Sequence, residues 1–453
     1  MTHEQAEALL YPDPLAAIMV ALVVFIGVCV GSFAGRYLKG DTRYRAFFIQ
    51  LGLLVATLAV MVSANHLVVL LVAWMVSNLL LVRLMVHKTC WRAARASGVL
   101  AAKNYTLGAV CMAAAFGLLY QATGETSIQA LLHKPNESSL IIPALVLLLV
   151  AAMTQSAIWP FHRWLTSSLN SPTPVSAIMH AGLVNGGGFL LARFAPLYLK
   201  HSGLLSVIFA AGIITALAGT LWKLMQSDVK RMLACSTMGQ MGFMLAQCGL
   251  GLFPAAVAHL VWHGMFKAYL FLASGGAAQE KRLDPNYPPK LLSLICALIC
   301  GVVGSLGFGY ASGKSWSAGD STLVLMVAAF LAASQFALPM LRQQPLKGLP
   351  LALAAAICAG LAYGGSVHLI VAQMETMELM KPQPLNGLHI AGCVVLAAAW
   401  LTMLMVRRNK TDSQVHEWAI KYYVTALNAS QPHPSTVTTH RNHYQYQPTI
   451  QGA

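Results

Sequence analysis

Three ionisable side chains recur at intervals of four in His259-Leu-Val-Trp-His263-Gly-Met-Phe-Lys267. On a helix this spacing stacks them along one face, a turn apart. The neighbouring residues are apolar, which places the column inside a lipid-spanning helix, where ionisable groups are costly to keep. Histidine titrates near neutral pH, so a His–His–Lys column linked by water can pass protons with little driving force. The competing reading is a set of structural donors tying helices together. Three ionisable groups on one face favour transport.

A second constellation is Ser171-Pro172-Thr-Pro174-Val-Ser-Ala-Ile-Met-His180, preceded by Trp159-Pro160-Phe-His-Arg-Trp164. Pro160, Pro172 and Pro174 interrupt a helical path near a membrane face. A broken helix exposes backbone polar groups, which are tolerated only beside water or protein. His180 then lies about one turn into the next helix. Read alone, it is a buried hydrogen-bonding group before it is a proton carrier. Gln155, mid-helix in Met153-Thr-Gln-Ser156, can join a water chain but cannot carry charge. Lys314, near the outer end of a helix in Tyr310-Ala-Ser-Gly-Lys314, has two readings. It snorkels to the interface, the favoured one, or it is the exit group of a proton path. Asn185-Gly-Gly-Gly188 permits close helix packing or local unwinding, with packing expected. No phosphate loop follows a strand, which argues against a nucleotide site.

The elements that carry these groups follow from composition. Of 453 residues, 57% are hydrophobic and 9% charged; a soluble domain usually carries about 25% charged residues. Lipid must therefore be the solvent for most of the outside. Apolar runs of about 20 residues, enough to cross a bilayer, recur about 13 times between Leu15 and Val406. Among them are Leu140–Trp159, Ser176–Phe194, Met232–Leu252 and Pro254–Ser274. The fold class read from this is all-α, a polytopic membrane protein of about 13 transmembrane helices, some broken.

The net charge of +15 comes from short loops rather than from one polar face, which argues against nucleic acid. Basic clusters recur in alternate loops: Arg36 to Arg45, Lys88 to Arg95, Lys230 with Arg231, Lys281 to Lys290, Arg342 with Lys347, and Arg407 to Lys410. That alternation predicts an N-terminus outside and a C-terminus in the cytoplasm. All fourteen acidic residues fall in loops, termini or helix ends, so no carboxylate is expected near mid-membrane. Met1 to Pro14 lacks the basic flank of a signal peptide, and the first run reads as a retained helix. The nine cysteines give neither zinc spacing nor a disulfide framework. Residues 1–408 read as the transmembrane domain and 409–453 as a cytoplasmic tail. In the tail, Glu417 to Asn428 is a candidate interfacial helix, and Ser430 to Ala453 is expected to be disordered. There is no nucleophile–base pair, metal cluster or cofactor loop, so neither a stand-alone enzyme nor a cofactor is expected.

Several motifs resemble the antiporter-like subunits of respiratory complex I and Mrp antiporters. They are Ser156-Ala157, Pro160-Phe-His, Trp164-Leu, Pro172-Thr-Pro-Val-Ser-Ala177 and His180-Ala. So are Asp228-Val-Lys-Arg-Met-Leu-Ala-Cys-Ser-Thr237 with Gln240-Met-Gly-Phe243, and His259…His263…Phe266-Lys267-Ala…Leu270-Phe-Leu272. His180 through Arg193 and Tyr422 through Asn428 are similar to one branch, the DabB subunits of energy-coupled inorganic carbon accumulation. The resemblance implies an inverted-repeat fold in a bacterial inner membrane. It also implies flow of H+ or Na+ and a large peripheral DabA-type partner that resembles carbonic anhydrases and carries zinc. In that arrangement cation flow drives vectorial hydration of carbon dioxide to bicarbonate in the partner.

Two departures matter. The family usually holds a Glu after the Trp of an early helix, where Trp74 is followed here by Met75. It usually holds a Lys before the Ser-Ala of the broken helix, where this chain has Gln155. The resemblance then implies a simpler conduit through His180, His259, His263 and Lys267. A monovalent cation/proton antiporter subunit is the runner-up, and a non-conducting membrane anchor the third class.

Overall fold

The structure is a computed structural model that describes residues 8–134, 138–279, 289–406 and 417–437. Among these residues it is helical throughout; extended pairing is limited to isolated bridges. Eleven segments are long and apolar enough to cross a membrane. Two of the predicted runs fall outside that set for physical reasons. The helix Ile141–Gln155 is short because it breaks. Val229–Gly249 is long enough but too polar to pass on composition, and most of it from Leu233 onward is buried in protein rather than exposed to lipid. The protein is a multi-pass membrane protein.

The first layer comprises α1 (Pro14–Tyr37), α2 (Tyr44–Ser63), α3 (Leu67–Met85) and α4 (Arg92–Thr123), followed by the short α5 (Ile128–His133). α6 (Ile141–Gln155) then runs into the broken region. The predicted run Leu140–Trp159 is not one helix. It stops at Gln155, Ala157 takes a left-handed φ of 53°, and the Trp159–Pro160 peptide is cis. One helical turn, α7 (Arg163–Thr166), lies between this break and the next helix.

The predicted run Ser176–Phe194 is also divided, into α8 (Thr173–Ala181) and α9 (Gly186–Arg193), by a 3-10 turn at Leu183–Asn185. α8 starts at Thr173 because Pro172 and Pro174 sit where a helix needs no amide donor. The two breaks satisfy each other. Ser156 Oγ donates to the Val184 carbonyl at 2.6 Å, and Gln155 Nε2 reaches the Leu183 carbonyl at 3.4 Å. Asn185 Nδ2 caps the freed Ala181 carbonyl at 2.8 Å. The glycines that follow give close packing: a Cβ at Gly187 would lie 2.3 Å from the Ala152 carbonyl oxygen of α6. Close packing and local unwinding therefore both occur, one residue apart.

The segment Thr173–Arg193 is wholly buried, whereas only 17% of the most apolar stretch of Pro345–Gln373 is. The broken helix is thus the centre of the bundle. Around it stand α10 (Ala195–Tyr198), α11 (Ser202–Met225), α12 (Val229–Gly249) and α13 (Phe253–Leu272). α11 and α12 touch backbone to backbone, since a Cβ on Gly242 would meet the Ala216 nitrogen at 2.4 Å. The outer layer is α14 (Leu291–Ser312), α15 (Thr322–Ala337), α16 (Pro345–Gln373) and α17 (Gly387–Val406).

The helix expected in the tail is α18 (Glu417–Ala429). Ser430–Val437, expected to be disordered, instead docks on the bundle. His433 N donates to Ser167 Oγ at 2.9 Å, and Asn170 Nδ2 to the Thr436 carbonyl at 2.8 Å. Gln226 Nε2 donates to Ser430 Oγ at 2.9 Å, and Arg231 Nη1 to Gln431 Oε1 at 3.2 Å. Polar composition suggested disorder, but those polar groups bond to polar groups at the loop and helix ends of the bundle. Lys281, Arg282, Arg407, Arg408, Lys410 and the chain beyond Val437 lie outside the described residues.

Candidate proton and cation pathway

α13 carries the column. Pro254 sits in its first turn and the helix runs without interruption to Leu272, so the four-residue spacing becomes one face. Lys267 is 1% exposed, and such burial of an ammonium group demands a partner. It finds the Leu233 carbonyl of α12 at 3.1 Å. The rings of His263 and His259 lie near-parallel with centroids 6.1 Å apart, and both residues are buried. Neither ring nitrogen of His263 has a protein partner, nor does Nε2 of His259. Phe243 of α12 packs edge-on to the His259 ring at 5.5 Å.

His180 joins this group from the central helix. Its ring stacks on Phe271, one turn beyond Lys267, with centroids 4.3 Å apart. Its Nδ1 lies 3.0 Å from Thr237 Oγ1. Thr237 also donates to the Leu233 carbonyl that Lys267 uses, at 3.0 Å. One carbonyl thus ties His180 and Lys267 together through a hydroxyl. A cavity of about 450 Å³ opens beside the column, lined by Lys223, Ser236, Gln240 and Tyr363 as well as His259, His263 and Lys267. This volume holds several waters, each occupying about 30 Å³ in the liquid. The arrangement provides titratable groups, hydroxyls and an amide around hydratable space, which are the parts a proton relay requires.

Gln155 and Lys314 do not join this cluster. Gln155 is clasped to Asn78 of α3 by two reciprocal amide bonds: Gln155 Nε2 donates to Asn78 Oδ1 at 3.0 Å, and Asn78 Nδ2 to Gln155 Oε1 at 3.2 Å. Met75 is 52% exposed and turns away from Gln155. Asn78, one turn past Trp74, is the residue that faces Gln155. Nothing in the residue order marks Asn78, because its pairing with Gln155 depends on the face that α3 turns towards the break. Pro160 lies in the break after α6, and Pro172 and Pro174 begin α8.

Lys314 lies in the loop after α14, outside the spanning helices, and is 8% exposed. Burial pushes its ammonium group below the ordinary lysine range, and nearby Asp320 pulls the other way. It is absent from the cavity wall.

Lys223 and Tyr363 were not singled out in the sequence, and Thr237 and Gln240 entered only as members of a family motif, with no role assigned. Ser236, Gln240 and Phe243 recur at helical intervals on α12, a weak signal that faces the column only once α12 is set against α13. The buried Asp13–Arg193 ion pair was also missed. Asp13 caps α1 through Ala16 N at 2.8 Å. Its carboxylate meets both terminal nitrogens of the Arg193 guanidinium, which also donates to the Val62 carbonyl at 2.8 Å. Among the described residues, no three His, Cys, Asp or Glu side chains converge to hold a metal ion.

Comparisons with known proteins agree with this architecture. The family described as NADH:quinone oxidoreductase/Mrp antiporter, transmembrane region, matches residues 64–287. The N-terminal family of chain 5 of NADH-ubiquinone oxidoreductase (complex I) matches residues 4–48. Over these two stretches the chain is similar to the antiporter-like membrane subunits.

A probable inorganic carbon transporter subunit DabB1 of Halothiobacillus neapolitanus is 40% identical over 288 residues, covering 62% of this chain and 51% of the relative. A probable DabB subunit of Bacillus subtilis is 36% identical over 304 residues, covering 64% of this chain and 59% of the relative. The chain thus spans little more than half the length of these relatives. The solved Mrp complex of Dietzia sp. DQ12-45-1b contains a similar fold, with a TM-score of 0.64 and 23% identity. That match covers 91% of this chain and 52% of its counterpart.

Proposed function

We propose that this chain is the cation- or proton-conducting membrane subunit of an energy-coupled inorganic carbon accumulation complex. The observation that carries the conducting role is the buried His180–Lys267–His263–His259 group beside an open, hydratable pocket. A membrane anchor has no need for four ionisable groups in the bilayer interior. The carbon assignment rests on relatives named probable inorganic carbon transporter subunits at 36–40% identity. It is also supported by neutral residues at both positions where the resemblance puts a charged pair: Met75, and Gln155, which pairs with the Asn78 amide instead.

In this reading, cation flow through the column drives a conformational or protonation change in a large peripheral DabA-type partner. That partner carries zinc and performs the hydration of carbon dioxide to bicarbonate. In this reading the N-terminus lies outside the bacterial inner membrane and the C-terminus in the cytoplasm, an orientation supported by the alternation of basic loops. A second reading, a cation/proton antiporter subunit of Mrp or complex I type, draws support from 35% identity to NADH-quinone oxidoreductase subunit L of Pseudomonas aeruginosa.

Growth in ordinary air tests the assignment. The chain is co-expressed with its carbonic-anhydrase-like partner in a bacterium lacking carbonic anhydrase. Wild type should rescue growth. Lys267→Ala, His263→Ala and a protonophore should each abolish rescue. Rescue that persists in both variants makes the column structural. No rescue by wild type, with both proteins in the membrane, favours the antiporter reading.

A further inference from the structure

The column on α13 stops short of one end of the bundle. The positions Lys267, His263 and His259 step along the helix by four, and the next position on that face is Ala255, buried and apolar. α13 therefore offers no polar group between His259 and the Gly251 turn, where the helix begins. A relay confined to α13 ends at His259, inside the protein.

The missing group stands on the neighbouring helix. Gln247 of α12 is fully buried, and apart from the Tyr363 hydroxyl beside it, its side-chain amide meets no polar group of the protein. It lies seven residues beyond Gln240, which lines the cavity, so it occupies the same face two turns further along. Its carbonyl accepts from Leu252 N at 3.1 Å, which fixes it beside the start of α13. The amide sits next to the hydroxyl of Tyr363. Tyr363 in turn lines the cavity together with His259. Past Gln247 the polar contacts continue at the Gly251 end. Ser321 Oγ donates to the Leu250 carbonyl at 2.7 Å, and Gln383 N donates to Ser321 Oγ at 2.9 Å.

A glutamine amide offers two donors and two acceptor sites, more than one tyrosine hydroxyl can fill; left so in a dry core it is strongly disfavoured, whereas the same amide ordering water is not. We infer that Gln247 and Tyr363 form a hydrated relay station that continues the path from His259 to the Gly251 end of the bundle. The inference rests on the conducting role proposed above. The proton travels on the water: one O–H bond breaks as the next forms, from His259 past the Tyr363 hydroxyl. The Gln247 amide accepts and donates hydrogen bonds to that water and is never itself protonated. Gln247 and Tyr363 are positioning residues for the water, and His259 is the titrating group.

The test uses the full chain in liposomes loaded with a pH-sensitive dye, with proton entry driven by a potassium-diffusion potential. Gln247→Leu removes the amide at nearly constant volume, and Tyr363→Phe removes only the hydroxyl. Each should slow proton entry at least 10-fold while Gln247→Ser, which still orders water, retains more than a third of the wild-type rate. Radiolytic hydroxyl labelling gives a readout independent of flux. Labelling of Tyr363 should fall at least 3-fold in Gln247→Leu, with thermal stability unchanged or raised.

Wild-type flux abolished by Lys267→Ala but untouched by Gln247→Leu and Tyr363→Phe overturns the station and leaves the conducting role standing. Absence of flux in wild type overturns the conducting role, and unchanged Tyr363 labelling in Gln247→Leu overturns the hydrated station separately.

Discussion

Lys267 and Lys314 show how the same side chain acquires different roles from its surroundings. Lys267 is enclosed, bonded to a single carbonyl and aligned with two imidazoles. Lys314 is nearly as buried but lies in a loop with Asp320 as its charged neighbour and no place on the cavity wall. Its lowered ammonium pKa has a stability consequence. The folded state binds the Lys314 proton less tightly than the unfolded chain does, so wild type carries a burial penalty while the group is charged. Wild-type stability rises as pH climbs through the folded value towards the ordinary lysine value. Lys314→Gln should therefore melt at a higher temperature than wild type at neutral pH, with the advantage shrinking as pH rises to about 10. Melting curves in detergent across pH 7 to 10 (roughly that window) check this. A variant that melts lower than wild type throughout would assign the ammonium group a stabilising partner.

At the scale of elements, the broken helix is the organising feature, and each break survives because the other fills it. The carbonyls freed at Leu183 and Val184 accept from Gln155 and Ser156, the residues at the end of α6. The far end of α9 is anchored differently. Arg193 reaches from the core to Asp13 at the start of α1, binding the first helix to the central one. Both side chains are nearly inaccessible to solvent, so the pair escapes the screening that weakens surface ion pairs. Asp13→Asn preserves the helix cap but leaves the guanidinium buried without its counter-charge. We expect a loss of about 3–5 kcal/mol, the cost typical of breaking a buried pair from one side. Chemical denaturation in detergent measures it. A loss below about 1 kcal/mol, the upper range of an exposed pair, would mean that the Val62 carbonyl and the ring of Phe189, whose centroid lies 5.4 Å from the guanidinium carbon, suffice.

At the scale of the molecule, the tail completes the end of the bundle opposite the Gly251 turn. Ser430–Val437 contacts the loop before α8, the end of α11 and the start of α12, the same elements that hold His180 and the Leu233 carbonyl. Truncation after Ala429 removes four hydrogen bonds that tie these elements together. At about 1 kcal/mol for each bond, the expected loss is on the order of 2–4 kcal/mol. It should appear as a lower melting temperature of the detergent-solubilised protein. An unchanged melting temperature would mean the strap adds no stability to the bundle.

Much of this was legible in residue order, because lipid imposes simple rules. A long apolar run must span, and a four-residue interval on a helix must form a face. The His259–His263–Lys267 column and the thirteen segments follow from those two constraints. Pro160 likewise announced the break after α6, and Pro172 and Pro174 the start of α8, since proline removes a backbone donor; the second break, at Leu183–Asn185, carries no proline. Other features depended on which helix faces which. Gln155 is matched by Asn78 rather than by the position beside Trp74, and only the packing of α3 against the break shows it. Asp13 and Arg193 are 180 positions apart, so their pairing is invisible to any local pattern. Gln247 and Tyr363 carry no local signal in their helices until α12, α13 and α16 are brought together. Local spacing determines what a single helix presents, whereas the environment of a buried polar group is set by neighbours distant in the chain, and that only the tertiary structure decided.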